Sequence, residues 1–446
     1  MTEKESTLFD EFSSVSKEKW IAQLEKDLKG VSIPDSLELH DPIEQFAFQS
    51  HFHWSDKKPL TDSIFSNVRG TNTNNDWIIR QTISETDAKS ANTSALKRLN
   101  EGASGIGFSH SENILERLND IAYSFIQTDF SLKNRTEATH ILKQLSQEKN
   151  CIFSFDPILN NQVEEVVPYF KEVYLERGVT AFEIDNTVFA TAGANITQQL
   201  GIALSQINEY LNILIESGYK TDVILNHIQL KLGIGQSFIY ETAKFRAIRL
   251  LVENIAANYD TSSKGKIKLH AESIALNKSL KDPHTNLLRL TTEAMSAAMG
   301  GVETITLLPY DFWSKTGPSD FAYRMSVNIS NILKEESYLN IVTDPIGGAY
   351  AIEQATKTIA EEAWTFFQKI EANGGFVKAL QSNWIQTEIN KIRTIRISLL
   401  QEKKTKYIGI NCFENKDKSK LEWDLTKFSS IIEPLILELH TEGGKR

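Results

Sequence analysis

The sequence is poor in the features that mark secreted, membrane-spanning or nucleic-acid-binding proteins. It holds only two cysteines in 446 residues. These are Cys151 and Cys412, too few for a disulfide framework and too far apart for metal spacing, so a reducing cytosol is expected. No run approaches the roughly 20 apolar residues of a membrane helix. The N-terminal MTEKESTLFDEFSS lacks both an apolar signal core and an Arg-rich transit pattern, and a cytoplasmic location follows as the expectation. Basic residues do not predominate: 48 Lys and Arg stand against 58 Asp and Glu, a net charge of −10. That balance argues against general affinity for nucleic acid or anionic membranes. Low-complexity segments, a Walker loop, a nucleophile elbow and a His-Glu-x-x-His pattern are all missing. What is present is an ordinary globular composition, 41% hydrophobic and 9% aromatic. It can fill one large core or two to three smaller ones.

Residues 1–60 read as an arm containing one helix. Ser16 suits an N-cap, Glu18 sits in the first turn, and Trp20, Ile21, Leu24 and Leu28 form an apolar stripe ended by Gly30. Pro34, Pro42 and Pro59 mark the rest as extended and irregular. Such an arm either wraps a neighbouring chain or packs on its own domain, and the residues leave both open. A tail occupies 401–446, lysine-rich from Lys403, with one apolar run at 431–436.

Between them, 61–400 has a βα rhythm. Strand-like segments fall at 77–81, 105–108, 122–126, 151–155, 179–184, 223–232, 267–270 and 304–308. Helical periodicity fills 87–99, 136–147, 163–176, 194–217, 239–259 and 286–299, with a short helix near 111–118. This is the size and rhythm of a (β/α)8 TIM barrel. An open doubly wound sheet shares the alternation, but the chain has no phosphate-binding fingerprint to support it. Further helices are expected at 318–336, 350–372, ended by Gly374 and Gly375, and 375–401. The strand at 179–184 leads through Asp185, Asn186 and Thr187 into the long helix. Function in βα units sits in the loop after the strand, so 185–191 is the first place to seek chemistry.

Other candidates are weaker. After Gly105-Ile106-Gly107 the third glycine that the phosphate fingerprint requires is missing. Gly233-Ile234-Gly235 precedes a helix and reads either as an anion-binding N-terminus or as a plain turn capped by Ser237. His51 and His53 are the only close histidine pair and lack carboxylates at metal spacing. His227 and His270 fall in predicted strands and read either as barrel-mouth groups or as hydrogen-bonded core residues. Lys244, Arg246 and Arg249 lie on one helix; the i,i+3 arginines suggest a solvated or interface face. None of these forms a catalytic constellation.

Ordered segments across most of the chain nevertheless carry a resemblance. They include Phe12…Trp20…Leu28-Lys29-Gly30, Trp77-Ile78-Ile79-Arg80-Gln81, Ala192-Gly193-Ala194…Glu209-Tyr210-Leu211 and Ala243-Lys244-Phe245-Arg246-Ala247-Ile248-Arg249. Further along come Asp282-Pro283…Asn286…Arg289…Thr292-Glu293-Ala294, Gly300-Gly301, Glu335-Glu336-Ser337, Asp344-Pro345-Ile346-Gly347-Gly348-Ala349-Tyr350…Glu353, Ala363-Trp364 and Gly374-Gly375. Together these resemble the barrel domain of the adenosylcobalamin-dependent methylmalonyl-CoA mutase family, and its small-subunit chains in particular.

The resemblance implies a barrel that binds acyl-CoA along its axis. It also implies a flavodoxin-like domain that supplies cobalamin through a histidine, and a radical interconversion of succinyl-CoA and methylmalonyl-CoA. Three positions depart from the active pattern. Thr82 stands where an active chain carries a substrate-facing tyrosine, and Thr187 and Val188 stand where it carries a Tyr-His pair. Threonine supplies no aromatic wedge, and valine offers no proton to a thioester carbonyl. The cobalamin-ligating Asp-x-His-x-x-Gly pattern is also absent; Asp282-Pro283-His284 comes nearest, with Leu287 in place of the glycine. Only about 70 residues follow Gly375, too few for a cofactor domain of ordinary size. The expectation is therefore a non-catalytic small subunit without a cobalamin-binding domain. Its partner would be a catalytic large subunit that carries the adenosylcobalamin, with no catalytic, cofactor or metal residues on this chain. The alternatives are a stand-alone acyl-CoA-binding barrel, or the barrel chain of another cobalamin-dependent acyl-CoA mutase.

Overall fold

The computed structural model describes residues 13–29, 38–49, 51–53, 55–56, 74–145, 150–176, 178–263, 265–417, 419–429 and 431–441. Phe12, Gly30, Pro34 and Pro59 lie outside the described residues. The arm contributes α1 (Lys17–Asp27), β1 (Glu38–His40) and β2 (Ala47–Gln49). The parallel strands that follow are β3 (Ile78–Ile83), β4 (Gly105–Phe108), β5 (Gln127–Ser131), β6 (Cys151–Ser154), β7 (Val179–Thr180), β8 (Phe182–Asp185), β9 (Ile228–Ile234), β10 (Lys268–Ser273) and β11 (Thr304–Thr306). The helices are α2 (Ala88–Asn100), α3 (Ile114–Arg117), α4 (Arg135–Gln144), α5 (Val166–Val173), α6 (Thr187–Thr191), α7 (Ile196–Glu216), α8 (Thr221–Asn226), α9 (Phe238–Tyr259), α10 (Thr285–Met299), α11 (Asp320–Asn331), α12 (Tyr350–Ala372), α13 (Gly375–Gln381) and α14 (Trp384–Gln401).

β7 and β8 are one strand interrupted at Ala181. Its first part pairs with β6 and its second with β9. The order β7-β6-β5-β4-β3-β11-β10-β9-β8 therefore closes on itself, and the expected (β/α)8 barrel is present. Alternation within the strands divides its two faces. Phe108, Phe130 and Phe153 stack on the outer face under the helices, whereas Arg80, Asp129, Glu183, Lys231 and His270 turn inward, where they meet one another.

That polar inner face explains one departure from the expected strands. The strand expected at 122–126 begins instead at Gln127, and Phe125 is exposed in the turn before it. β5 reads QTDFS because its inward positions carry polar groups, so apolar content does not mark it. The strand expected from 223 begins at Ile228, because 221–226 form α8. His227 thus closes a helix rather than lying in a strand, with its Nδ1 2.7 Å from the Val223 carbonyl. Residues 187–191, expected as loop, form a turn of helix. The helix expected at 375–401 is two, broken where Asn383 takes a left-handed backbone at φ +60°.

Helix α7 is held by a capping box: the Asn195 side chain accepts from the Gln198 N–H, and Gln198 returns the bond to the Asn195 N–H. Its apolar length is covered by α12, and Gly201 sets how close they come. A Cβ there would lie 2.8 Å from Phe366 and 3.0 Å from the Ala363 carbonyl. The face of α9 expected to be solvated or at an interface is buried within the chain. Arg246 pairs with Asp344 and Glu353, Arg249 with Glu303, and Lys244 with Glu241. Helix α9 is enclosed by α7, α10 and α12, so its two arginines, spaced as on a surface helix, are matched by carboxylates from other segments.

The described part of the arm divides in two. Residues 38–49 dock on the barrel: Phe46 and Phe48 pack edge-on against Tyr240, Glu44 accepts from the Ile196 N–H, and Asn195 Nδ2 donates to the Ile43 carbonyl. In α1, capped by Ser16 as expected, no residue is buried. Trp20 stacks on His51 at 3.9 Å, and Lys17 pairs with Asp56.

Candidate functional site at the barrel mouth

The inward side chains of the strands meet in a charged layer across the bore. Arg80 from β3 is its centre, 2% exposed. Its Nη1 lies 3.1 Å from Asp129 and its Nη2 3.0 Å from Glu183. Nη2 also sits 2.6 Å from His270 Nδ1, while His270 Nε2 is 2.9 Å from Thr306 Oγ1. The tautomer that satisfies both is neutral imidazole, with Nδ1 accepting from Arg80 and Nε2–H donating to threonine. Burial and the Arg80 charge push the His270 pKa down to about 3, against the pull of Glu183. His270 is a hydrogen-bonded core histidine. Gln229, Gln127 and Thr304, all buried, fill the bore around and beneath this layer.

The carboxylates differ sharply. Burial works to raise Glu183, but the Arg80 and Lys231 charges outweigh it and hold the group well below the usual range. Asp129 is raised to about 6 by burial, against the pull of Arg80. Ser154 Oγ lies 2.7 Å from Asp129 and 2.8 Å from Glu183. One hydroxyl proton can serve only one of the two at a time. Lys231 on β9 pairs with Asp185 at 2.7 Å and lies 3.5 Å from Glu183.

Above this layer, at the C-terminal ends of the strands, lies a cavity of about 330 Å³. Thr82, Thr187 and Val188, three departures read from separate parts of the sequence, all line it. The Thr187 hydroxyl donates to Asp185, so it serves the local turn. The tail forms part of the roof with Phe428, Ile432 and Pro434. It is stitched to the strand ends by the Leu435 N–H to the Thr191 carbonyl at 2.8 Å and the Asp424 N–H to the Trp313 carbonyl at 2.8 Å. Gly193, at φ +101°, leaves room for Leu435, which would sit 2.8 Å from a Cβ. Glu438 is buried and accepts from Ser279 Oγ, the Leu280 and Lys281 N–H groups and Trp423 Nε1.

The remaining candidates do not join this site. At the Gly233–Gly235 turn, Lys244 Nζ bonds the Gly233 carbonyl and Glu241, and Ser237 makes no side-chain cap. Gly107 faces Asp129, not a phosphate. His53 bonds Ser55 and the Val15 carbonyl within the arm. Among the described residues no group of His, Cys, Asp and Glu could hold a metal ion. Glu272, Asp129 and Lys231 were not singled out from sequence. The available signal was alternation within short strands, Lys268-His270-Glu272 on β10 and Glu183-Asp185 on β8.

The family model for methylmalonyl-CoA mutase matches residues 131–433. The chain belongs to the methylmalonyl-CoA mutase family. Curated relatives agree. The methylmalonyl-CoA mutase small subunit of Porphyromonas gingivalis is 34% identical over 449 residues, covering 93% of this chain and 72% of that protein. The probable small subunit of Mycobacterium bovis is 31% identical over 57% of this chain and 42% of its own length. That of Streptomyces virginiae is 32% identical over 53% and 38%. Among solved structures, a Yersinia pestis DHPS with a bound pterine-sulfa conjugate aligns over 59% of this chain and 93% of its own, at 12% identity and a TM-score of 0.34. So slight a likeness carries no argument. Within the mutase family, a cobalamin ligand from Asp282 and His284 does not fit the geometry. Asp282 accepts from Thr285 Oγ1, and His284 sits at the start of α10, edge-on to Tyr310 and away from the cavity.

Proposed function

We propose that this chain is the non-catalytic small subunit of a heterodimeric methylmalonyl-CoA mutase, and that the partner large subunit carries the adenosylcobalamin and interconverts succinyl-CoA and methylmalonyl-CoA. The observation that supports this most is the filled bore. A family substrate laid along the barrel axis would have to displace Arg80 from Asp129, Glu183 and His270, and breaking a buried ion-pair network costs several kcal/mol. Thr82, Thr187 and Val188 at the mouth supply no aromatic wedge, and the one hydroxyl beside Val188 is committed to Asp185. The same filled bore weighs against a stand-alone acyl-CoA-binding barrel.

The role assigned here is to stabilise or position the large chain, with the contact on the arm and the barrel exterior. In its support, the Trp20, Ile21, Leu24 and Leu28 stripe of α1 remains only half-buried, and Tyr338, Ile341 and Val342 are exposed. We place the complex in the cytoplasm, in keeping with Cys151 and Cys412, which form no disulfide. No helix among the described residues is long and apolar enough to cross a membrane. Co-expression with a family large subunit tests the reading. One co-eluting complex, with large-chain activity dependent on it, is the expected result. Separate elution with unchanged activity would overturn it.

A further inference from the structure

The cavity at the mouth is not an inert remnant, because it retains a carboxylate with nothing to hold. Glu272 on β10 is half-buried and lines the cavity. No other described residue makes a hydrogen bond or ion pair to its carboxylate. The groups around it are Lys231 on β9, Asp185 and Glu183 on β8 and Arg80 on β3. On the neighbouring β11, Thr306 is the uncharged partner in register. Lys231 and Arg80 are already committed, to Asp185 and to Asp129 and Glu183. Four carboxylates therefore share two cations, since His270 is neutral. The site has spare negative charge, and its cations have no spare valence for an anion.

The walls point the same way. Thr82, Ser109 and Ser131 line the cavity, and their hydroxyls make no hydrogen bond to the described residues. The roof is aromatic, with Phe312, Trp313 and Phe428. One of these rings already accepts a cation: Lys427 Nζ sits 5.1 Å from the Phe312 centroid while donating to the Ser314 carbonyl. Lys427 is exposed at the rim and leaves the Glu272 side of the chamber uncompensated. A volume of about 330 Å³ corresponds to on the order of ten waters, enough for a ligand of a few heavy atoms and far too small for an acyl-CoA.

We propose that this chamber binds a small organic ammonium ion, its nitrogen paired with Glu272, its hydroxyl or other polar end on the Thr82, Ser109 and Ser131 hydroxyls, and its carbon stem under the aromatic roof. Such a ligand supplies the missing counter-charge, and a protonated amine gains both a charge-assisted hydrogen bond and an aromatic face. Burial above all, with Asp185 and Glu183, raises the Glu272 carboxyl to about 7 against the pull of Lys231 and Arg80. A proton on Glu272 therefore competes with an ammonium ion for the same carboxylate. Binding should strengthen as pH rises and Glu272 ionises, about tenfold between pH 6 and 8 for one carboxyl titrating near 7.

Isothermal calorimetry of the full chain with ethanolamine, and with succinate as the anionic probe, tests this directly. The expected result is saturable one-to-one binding of ethanolamine, tighter at pH 8 than at pH 6 and lost in Glu272→Gln. The thermal transition of Glu272→Gln should match the wild type, which shows that the variant folds. Val188→Phe, which fills the cavity without touching a charge, should abolish binding as well. Succinate binding more tightly than ethanolamine, binding of neither, or ethanolamine binding unchanged in Glu272→Gln would each overturn the proposal. None of these outcomes depends on whether a large subunit associates.

Discussion

Arg80 decides what the bore can admit, and its environment sets what its loss would cost. Replacing it with methionine leaves Asp129 and Glu183 buried beside each other without their cation. Removing one partner of a buried network typically costs about 3–5 kcal/mol. Arg80→Met is expected to lose stability of that order in urea unfolding, and a loss below about 1 kcal/mol would mean that the network is not integral to the fold. Glu44 gives a prediction with a definite pH sign. Burial raises it to about 7, outweighing Arg396. The folded chain then binds a proton between pH 4 and 7 that the unfolded chain releases, so its contribution is favourable at low pH and is lost as pH rises through about 7. The Glu44→Gln variant can still accept from the Ile196 N–H, and its unfolding free energy should fall less between pH 5 and 8 than that of the wild type, by roughly 2–3 kcal/mol. An equal fall in the two proteins would contradict the raised carboxyl.

Among the elements, α7 and α1 make opposite demands. Helix α7 is almost wholly buried, and Gly201 sets its approach to α12. Gly201→Ala gains helix propensity of about 1 kcal/mol but forces a methyl against Phe366 and the Ala363 carbonyl. Overpacking of that kind costs about 1–3 kcal/mol. A lowered melting temperature is expected, and a raised one would show that the two helices yield. In helix α1 no residue is fully buried, and Leu24 keeps part of its side chain exposed. Leu24→Glu should therefore leave the unfolding transition of the isolated chain within about 0.5 kcal/mol of wild type, yet abolish co-purification with a large subunit. A large loss of stability in the isolated chain would assign α1 to its own core instead.

For the molecule as a whole, the barrel is legible in the sequence because its outer face and its helices follow ordinary apolar periodicity. The 105–108 strand and the 350–372 helix have the bounds that pattern suggests. The segments that mislead are those where the polar lining of the bore interrupts that logic, as at Gln127, or where an apolar turn of helix abuts a strand, as at Thr221–Asn226. The site is legible only in part. Thr82, Thr187 and Val188 stand out by comparison with the family and do converge on one cavity. The Arg80, Glu183 and His270 cluster cannot be read from spacing, because its members come from β3, β8 and β10 and meet only when the barrel closes. For the same reason Arg246 and Arg249 resemble a surface pair until Asp344, Glu353 and Glu303 arrive from distant segments.

We propose that the charged layer on the axis of this mutase-family barrel excludes acyl-CoA. Calorimetric titration of the isolated chain with succinyl-CoA, alongside a catalytic large subunit as positive control, tests it most directly. No saturable heat is expected from this chain and a clear isotherm from the control; one-to-one binding to this chain would contradict the claim.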